Sequence, residues 1–532
     1  MNAPRSAPPG APSRDSAGRG AFLVASGIFA SRIVGLVRQR VFAHYFGVTD
    51  IADAFSQAFR IPNLVQNLFG EGVLSASFIP VYAGLRARGD DEERRRLAHA
   101  VFSILVLATT VAVALGLVLA PWITRLIAPG FHGQKLELTT QLVRILFPGA
   151  ALFVLSAWSL GIQNSHGRFF LSYASAVVWN VAMIASMLIG GARVPIAELA
   201  LWLAWGSVIG AVLQLAVQLP VVYALLGSIR FAWRQRSAHL GTVLRTFGPA
   251  FIGRGVAQIS AFVDAMIASL LVEGAVATLN YAQLLYMLPI SLFGMSIAAA
   301  ELPAMSGESA STDDVAGALR GRLGTSLARM AFLVVPSAAA FLGLGDILAR
   351  LLYQTGRFGA DDARWVWWTL AGSAIGLLAA AFARLLSSTF YALHDTRTPL
   401  RFSLVRVALT IGLGLPCSLW LPGALGIDTR WGVAGLTASA GAAAWVEFVL
   451  LRRALRGRIG AIALAPARVP ALWACAAIAI VLAWVVRLTL PTLPPLGQGV
   501  AVVGTYGVAY LVVTHLAGFP FANAFVERVR RR

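Results

Sequence analysis

Six ionisable residues crowd the first two strongly apolar stretches of the chain: Arg32, Arg38, Arg40, Asp53, Arg60 and Glu71. A charge at mid-bilayer costs roughly 2.5–3.5 kcal/mol on insertion scales, so residues placed there face a cavity or a partner. Arginine suits phosphate, because its planar fork makes bidentate bonds and never loses its charge. The cluster therefore points to a water-filled, positively lined space that holds an anionic group. The alternative is a set of structural ion pairs, Arg60 with Asp53 or Glu71, plus snorkelling by Arg38 and Arg40. Arg32 and Arg38 are six residues apart, roughly 240° around a straight helix, and share a face only if the helix bends. Gly35 between them permits a bend. Pro62 is expected to break the second helix and free backbone groups to line a polar space.

A second group lies further along. Arg254 and Asp264 share the seventh apolar stretch, and Asp264 sits near the centre of the apolar run from Ile259 to Leu271. A lone carboxylate there suggests a coupling-ion or proton site; the alternative is a neutral Asp bonded to a neighbouring helix. Arg384, Arg406, Glu301 and Glu447 lie closer to span ends, where snorkelling is cheap. No GxxxxGK[ST], HExxH or GxSxG motif is present. The histidines are scattered without the spacing of a helical metal pair, and Cys417 and Cys475 read as small apolar packing residues.

The elements that position these residues must be membrane helices. The 532 residues are 58% hydrophobic and only 12% charged, with a mean hydropathy of +0.75. A soluble chain carries roughly 25% charge, so an array of soluble domains is excluded. The net charge of +20 is read as cytoplasmic-loop arginine rather than a nucleic-acid surface. A span needs about 20 apolar residues, and that length finds fourteen candidates. They are 22–46, 52–83, 98–128, 138–162, 168–191, 197–226, 241–272, 276–305, 323–349, 364–392, 399–421, 431–453, 467–488 and 499–518. With both termini inside, the cation-rich segments around Arg86–Arg96, Arg230–Arg245, Arg452–Arg458 and Arg528–Arg532 all fall on the cytoplasmic side, as the positive-inside rule requires. Residues 1–20 read as a disordered cytoplasmic tail and 521–532 as a basic one. Phe59-Arg60-Ile61-Pro62 with Leu68-Phe69-Gly70 in the second span matches Tyr286-Met287-Leu288-Pro289 with Leu292-Phe293-Gly294 in the eighth. That match suggests two six-helix repeats of the same orientation with two helices appended, as transporters often have. The expected fold is all-α and integral to the membrane.

From Ser31-Arg32-Ile33-Val34-Gly35-Leu36-Val37-Arg38 onward the sequence resembles the MurJ/MviN lipid II flippases of the multidrug/oligosaccharidyl-lipid/polysaccharide exporter superfamily. The resemblance runs through Ala52-Asp53-Ala54-Phe55, Ala58-Phe59-Arg60-Ile61-Pro62-Asn63-Leu64 and Phe69-Gly70-Glu71-Gly72. It returns at Ala128-Pro129-Gly130-Phe131, Gly248-Pro249-Ala250, Gln258-Ile259-Ser260 and Phe390-Tyr391-Ala392-Leu393-His394-Asp395-Thr396-Arg397-Thr398-Pro399. It implies fourteen helices in two lobes around a central cavity: an N-lobe over 21–228, a C-lobe over 240–454, and two appended helices over 465–520 that form a lipid-tail groove. The implied cargo is the polyprenyl-pyrophosphate-linked peptidoglycan precursor, moved from the cytoplasmic to the periplasmic leaflet of a bacterial inner membrane by alternating access.

Carried over by motif, Arg32, Arg38, Asp53 and Arg60 are cavity residues, while Asp264 and Asp395 resemble carboxylates of a cation site. Gln66 and Asn67 stand where the family usually has paired arginines, and Gln283 and Leu284 replace its Asp-Arg pair. Arg254 is a candidate substitute for one missing cation. No cofactor is expected, with a monovalent cation or the membrane potential as the source of coupling. The implied partners are the glycan lipid, membrane lipids and cell-wall synthesis proteins. The alternatives are a flippase for another polyprenyl-linked glycan, a cation-coupled exporter of the same fold, and a membrane glycosyltransferase using Asp361, Asp362 or Asp428.

Overall fold

The structure, a computed structural model, describes residues 14–69, 71–232, 237–298, 300–301, 305, 314–461 and 468–530. Among the described residues the predicted spans lie largely on helix, the second of them divided among three helices. In chain order the helices are α1 (Arg14–Phe46), α2 (Asp50–Ala58), α3 (Arg60–Phe69), α4 (Glu71–Ala87), α5 (Asp91–Ile127) and α6 (Gly133–Ser165). They continue with α7 (Phe169–Gly190), α8 (Ile196–Leu226), α9 (Leu240–Ser269), α10 (Ala275–Pro289), α11 (Val315–Gly343) and α12 (Gly345–Tyr353). The last are α13 (Ala360–Ala392), α14 (Arg397–Leu415), α15 (Gly432–Ile459), α16 (Val469–Thr489), α17 (Pro495–Leu516) and α18 (Pro520–Arg530). Among the described residues, ten helices are long and apolar enough to cross a membrane. Large apolar side chains such as Val118 (74% exposed) and Leu516 (79%) point outward. That is the surface of a protein dissolved in lipid, where exposing such groups carries no hydrophobic penalty.

Helix reaches into both terminal segments among the described residues. Helix α1 already runs from Arg14, and the terminal residues from Pro520 to Arg530 form α18; residues 1–13 and 531–532 lie outside the described residues. The two matched prolines also act differently. Pro62 is the third residue of α3, a first-turn position that needs no amide donor, and the helix break lies before it, at Phe59. Pro289 instead closes α10 and leads into a π-helical turn, Ile290–Met295. Wide turns of this kind are frequent at functional sites.

The chain divides into two compact units. The first comprises Met1–Tyr45, Ala54–Ile127 and His132–Ala261, and the second Phe46–Asp53, Ala128–Phe131 and Phe262–Arg532. The division falls inside α9. Glu93 at the start of α5 accepts hydrogen bonds from Ser237 Oγ (2.5 Å) and the Ala238 amide (2.8 Å), which ties the entry to α9 to the first unit.

Within the first unit, Leu74, Phe78 and Tyr82 of α4 pack on Leu97 and Val101 of α5 and Trp158 of α6 as a continuous core. A buried polar relay crosses α6, α7 and α8. Gln214 donates to Ser156 (3.0 Å), Ser156 to Gln218 (3.0 Å), and Gln218 to Ser175 (2.6 Å).

The second unit is built around α13, most of whose membrane stretch is buried. A Cβ on Gly376 would lie 2.4 Å from the Gly441 Cα, so α13 and α15 meet backbone to backbone through paired glycines. The two appended helices belong to this unit. Tyr506 and Tyr510 of α17 donate to the carbonyls of Pro336 and Phe332 in α11 (2.7 and 2.8 Å).

Candidate anion-binding site

Arg32 and Arg38 lie on α1, which continues as helix through Gly35, and Arg60 opens α3 in the same unit. The Arg38 guanidinium lies 5.0 Å from the Trp179 ring centroid and 5.6 Å from that of Phe59. Those two rings stack on each other, 5.8 Å apart and 8° from parallel. Arg38 also donates to the Met183 sulfur at 3.7 Å. No carboxylate meets Arg38 among the described residues. Two aromatic faces and a thioether hold the group in place by cation–π attraction without neutralising it. Arg32 is exposed and forms no hydrogen bond or ion pair with any described residue. Arg60 is partly buried. The side chains of Asn67, Glu71 and Arg254 lie outside the described residues.

Trp179 and Met183 were not among the sequence candidates. Trp179 itself is fixed by a hydrogen bond from Nε1 to Ser207 Oγ (3.2 Å). Both sit on α7, an ordinary apolar span in sequence, where nothing marks an aromatic or a thioether as the seat of a distant arginine.

The second unit treats its charges otherwise. Asp53 is 1% exposed, and its two oxygens accept from the backbone N–H of Gly274 (2.8 Å) and Ala277 (2.7 Å), at the start of α10. Gly274 has φ +82°, which favours glycine, and the carboxylate meets the positive end of the helix dipole there. The same segment is tied down by Tyr281 donating to the Gly47 carbonyl (3.0 Å) and the Asp50 amide donating to Glu273 (3.1 Å). In this conformation Asp53 is a helix cap.

Asp395 caps as well. One oxygen accepts from the amides of Arg397 (2.9 Å) and Thr398 (3.0 Å), the other from the Thr398 hydroxyl (2.6 Å) and the Arg458 guanidinium. The Thr398 hydroxyl, then these amides and Arg458, hold its carboxyl down at about 2. Both oxygens already receive hydrogen donors, a geometry suited to starting α14 rather than to binding an ion. Asp264, on α9, is half-buried and within electrostatic reach of Tyr286 on α10. The structure does not bring Asp264 and Asp395 into one described contact.

An ion pair on a buried acid went unread in the sequence. Glu447 of α15 accepts from Arg406 (3.2 Å) and Ser403 (2.8 Å) of α14. Glu301 pairs with Arg322 at 2.5 Å, and Arg384 lies within electrostatic reach of Tyr286, Arg406 and Glu447. The carboxylates that a glycosyltransferase would need have local duties. Asp361 pairs with Arg364, Asp362 accepts from the Gly359 amide (2.9 Å), and Asp428 from the Arg430 amide (2.9 Å).

A family model described as lipid II flippase MurJ matches residues 42–496. The lipid II flippase MurJ of Burkholderia cenocepacia is 32% identical over 445 residues, covering 82% of this chain and 84% of that protein. A probable lipid II flippase MurJ of Rhizobium tropici is 33% identical over 403 residues, 74% of each chain. Among solved structures, a lipid II flippase MurJ in an inward closed conformation superposes with a TM-score of 0.76 at 22% identity, over 95% of this chain and all of that one. An inward-facing multidrug resistance transporter of the MATE family, in the MOP superfamily, gives 0.65 at 16% identity, over 82% of this chain and 98% of that one. These two likenesses establish the fold.

Proposed function

The chain belongs to the MurJ lipid II flippase family, and we propose that it carries lipid II from the cytoplasmic to the periplasmic leaflet by alternating access. The observation that carries the reading is Arg38, a guanidinium within a membrane span that is seated by Trp179, Phe59 and Met183 and meets no described carboxylate. A fixed cation with no described carboxylate beside it in low dielectric calls for an anion from outside the protein, and a diphosphate supplies two charges and pairs of oxygens that a guanidinium grips bidentately. Arg32, Arg38 and Arg60 hold the pyrophosphate in the inward-open state, and Arg254 adds a further cation. Both termini are cytoplasmic.

When the cargo leaves, the carboxylate of Asp53 offsets the charge of Arg32 and Arg38. Coupling comes from the membrane potential, at about 2.3 kcal/mol per charge per 100 mV, or from a cation at Asp264. The chain makes and breaks no covalent bond of the lipid. A complementation assay tests the reading. In a bacterium depleted of its own flippase, the protein restores translocated lipid II, and Arg38→Ala does not. Normal insertion with no translocated lipid II refutes the cargo. A shortened or extended product after incubation with labelled donor lipid identifies a glycosyltransferase instead.

A further inference from the structure

A second candidate site lies at the foot of the appended helices, inside the second unit. A cavity of about 320 Å³ opens there between α11 and α16. It is lined by Thr325, Ala328 and Phe332 of α11, Leu472 of α16, and Phe519 and Phe521 at the turn into α18. Apart from one hydroxyl, the side chains of this lining are apolar.

The walls are preformed. Phe332 packs on Phe521 (5.9 Å between centroids) and on Tyr510 (5.7 Å), whose hydroxyl holds the Phe332 carbonyl. The turn before α18 is fixed by Gly518 at φ +74° and by the Phe519 amide donating to the Thr514 carbonyl (3.1 Å). His515 and Asn523 close the corner at 2.7 Å.

A cation stands at the mouth. The Arg468 guanidinium lies 5.7 Å from the centroid of Phe519, one of the lining rings. Arg468 directly precedes α16, and Leu472 in the lining is one turn further on the same helix face. Arg329 is exposed on α11, one turn beyond Thr325. The described acid of α18, Glu527, is exposed and lies more than a turn further along from Phe521.

α11 and α16 are long and apolar enough to span a membrane, which places the bilayer's own lipids beside the cavity. An apolar slot with a guanidinium at its rim matches an acyl chain attached to a phosphate. A zwitterionic lipid has the phosphate too, but its ammonium is repelled by the same arginine. The cavity encloses part of one acyl chain and falls far short of a polyprenyl tail. We propose that this slot binds an anionic glycerophospholipid of the surrounding leaflet, with one chain among Ala328, Phe332, Leu472 and Phe521 and the phosphate on Arg468. Such a lipid braces α16 and α18 against α11 independently of cargo.

The test uses the full chain, purified in detergent and stripped of lipid, with phosphatidylglycerol or phosphatidylcholine of identical acyl chains added back. Phosphatidylglycerol should raise Tm by about 2–4 °C more than phosphatidylcholine. Arg468→Gln, a change at an exposed side chain, should weaken phosphatidylglycerol binding about fivefold and leave phosphatidylcholine unaffected. Ala328→Trp fills the slot and should abolish the difference between the lipids; if it does not fold, Leu472→Phe serves. Equal effects of the two lipids on the parent, or an undiminished preference in Arg468→Gln, overturn the proposal. So does displacement of phosphatidylglycerol by a polyprenyl phosphate, which would give the slot to the cargo's tail. None of these readouts involves transport, so a failure here and a failure of the lipid II reading are distinguishable.

Discussion

In the second unit Arg406, Arg322, Arg458 and Arg487 each meet a carboxylate: Glu447, Glu301, Asp395 and Asp346. In the first, the described pairs of this kind are at the start of α5, Arg94 with Asp91 and Arg96 with Glu92. Arg32 and Arg38 have none. The same side chain thus serves two ends. Paired across helices, arginine neutralises a buried acid and fastens α14 to α15, or α16 to α12. Seated on aromatic rings, it keeps its charge available. Arg384 of the second unit is exposed and forms no hydrogen bond or ion pair among the described residues.

The contrast can be broken experimentally, and its strongest consequence concerns Glu447. Glu447→Ala leaves the half-buried Arg406 without its acid and should destabilise the protein by about 1.5–3 kcal/mol, the worth of hydrogen bonds to a charged group. Reversible unfolding in detergent measures this, and a loss below 1 kcal/mol (an approximate threshold for exposed pairs) would mean the pair is wet. Arg38→Ala should instead leave stability nearly intact while lowering lipid II translocation roughly 10–100-fold, the worth of about 1.5–3 kcal/mol from a charge-assisted bond. Arg384→Ala sharpens the comparison. If it lowers translocation as Arg38→Ala does, the second unit also lends a cation to the anion; unchanged transport confines that task to the first.

The smallest effect is at Asp395. Asp395→Ala removes the cap of α14 and should cost about 0.5–2 kcal/mol. Its folded carboxyl lies at about 2, below the ordinary 3.8. Its contribution is therefore complete above pH 3.8 and fades as the pH falls toward 2. The parent and Asp395→Ala should converge in stability over that interval and differ above it.

Much of this was legible in advance where the signal is local. The apolar stretches fall on helix, and Arg32, Arg38 and Arg60 announced themselves because a charge in an apolar run is costly wherever the run later packs. The match between Pro62 and Pro289 located two irregular helices but not their form, since a break before one and a π turn after the other depend on neighbours. Asp53 and Asp395 were read as site carboxylates because their motifs resemble a transporter family; in this conformation both oxygens of Asp53 and one of Asp395 accept backbone amides at helix starts. Arg406 and Glu447 were read as residues near span ends, and they form an ion pair in which the acid is buried.

Composition along the chain by itself determined that this protein lives in a membrane, which segments can cross it, and that arginines there need an anion. Insertion responds to the polarity of about 20 consecutive residues, which is a property of the string. Tertiary structure alone decided which arginine finds its anion inside the protein. Glu447 is 41 positions from Arg406 and Asp346 is 141 from Arg487, while Trp179 reaches Arg38 from a different span. Such meetings depend on which helix faces touch. That is settled by packing between helices, where lipid tails are as apolar as the side chains and hydropathy has nothing left to distinguish.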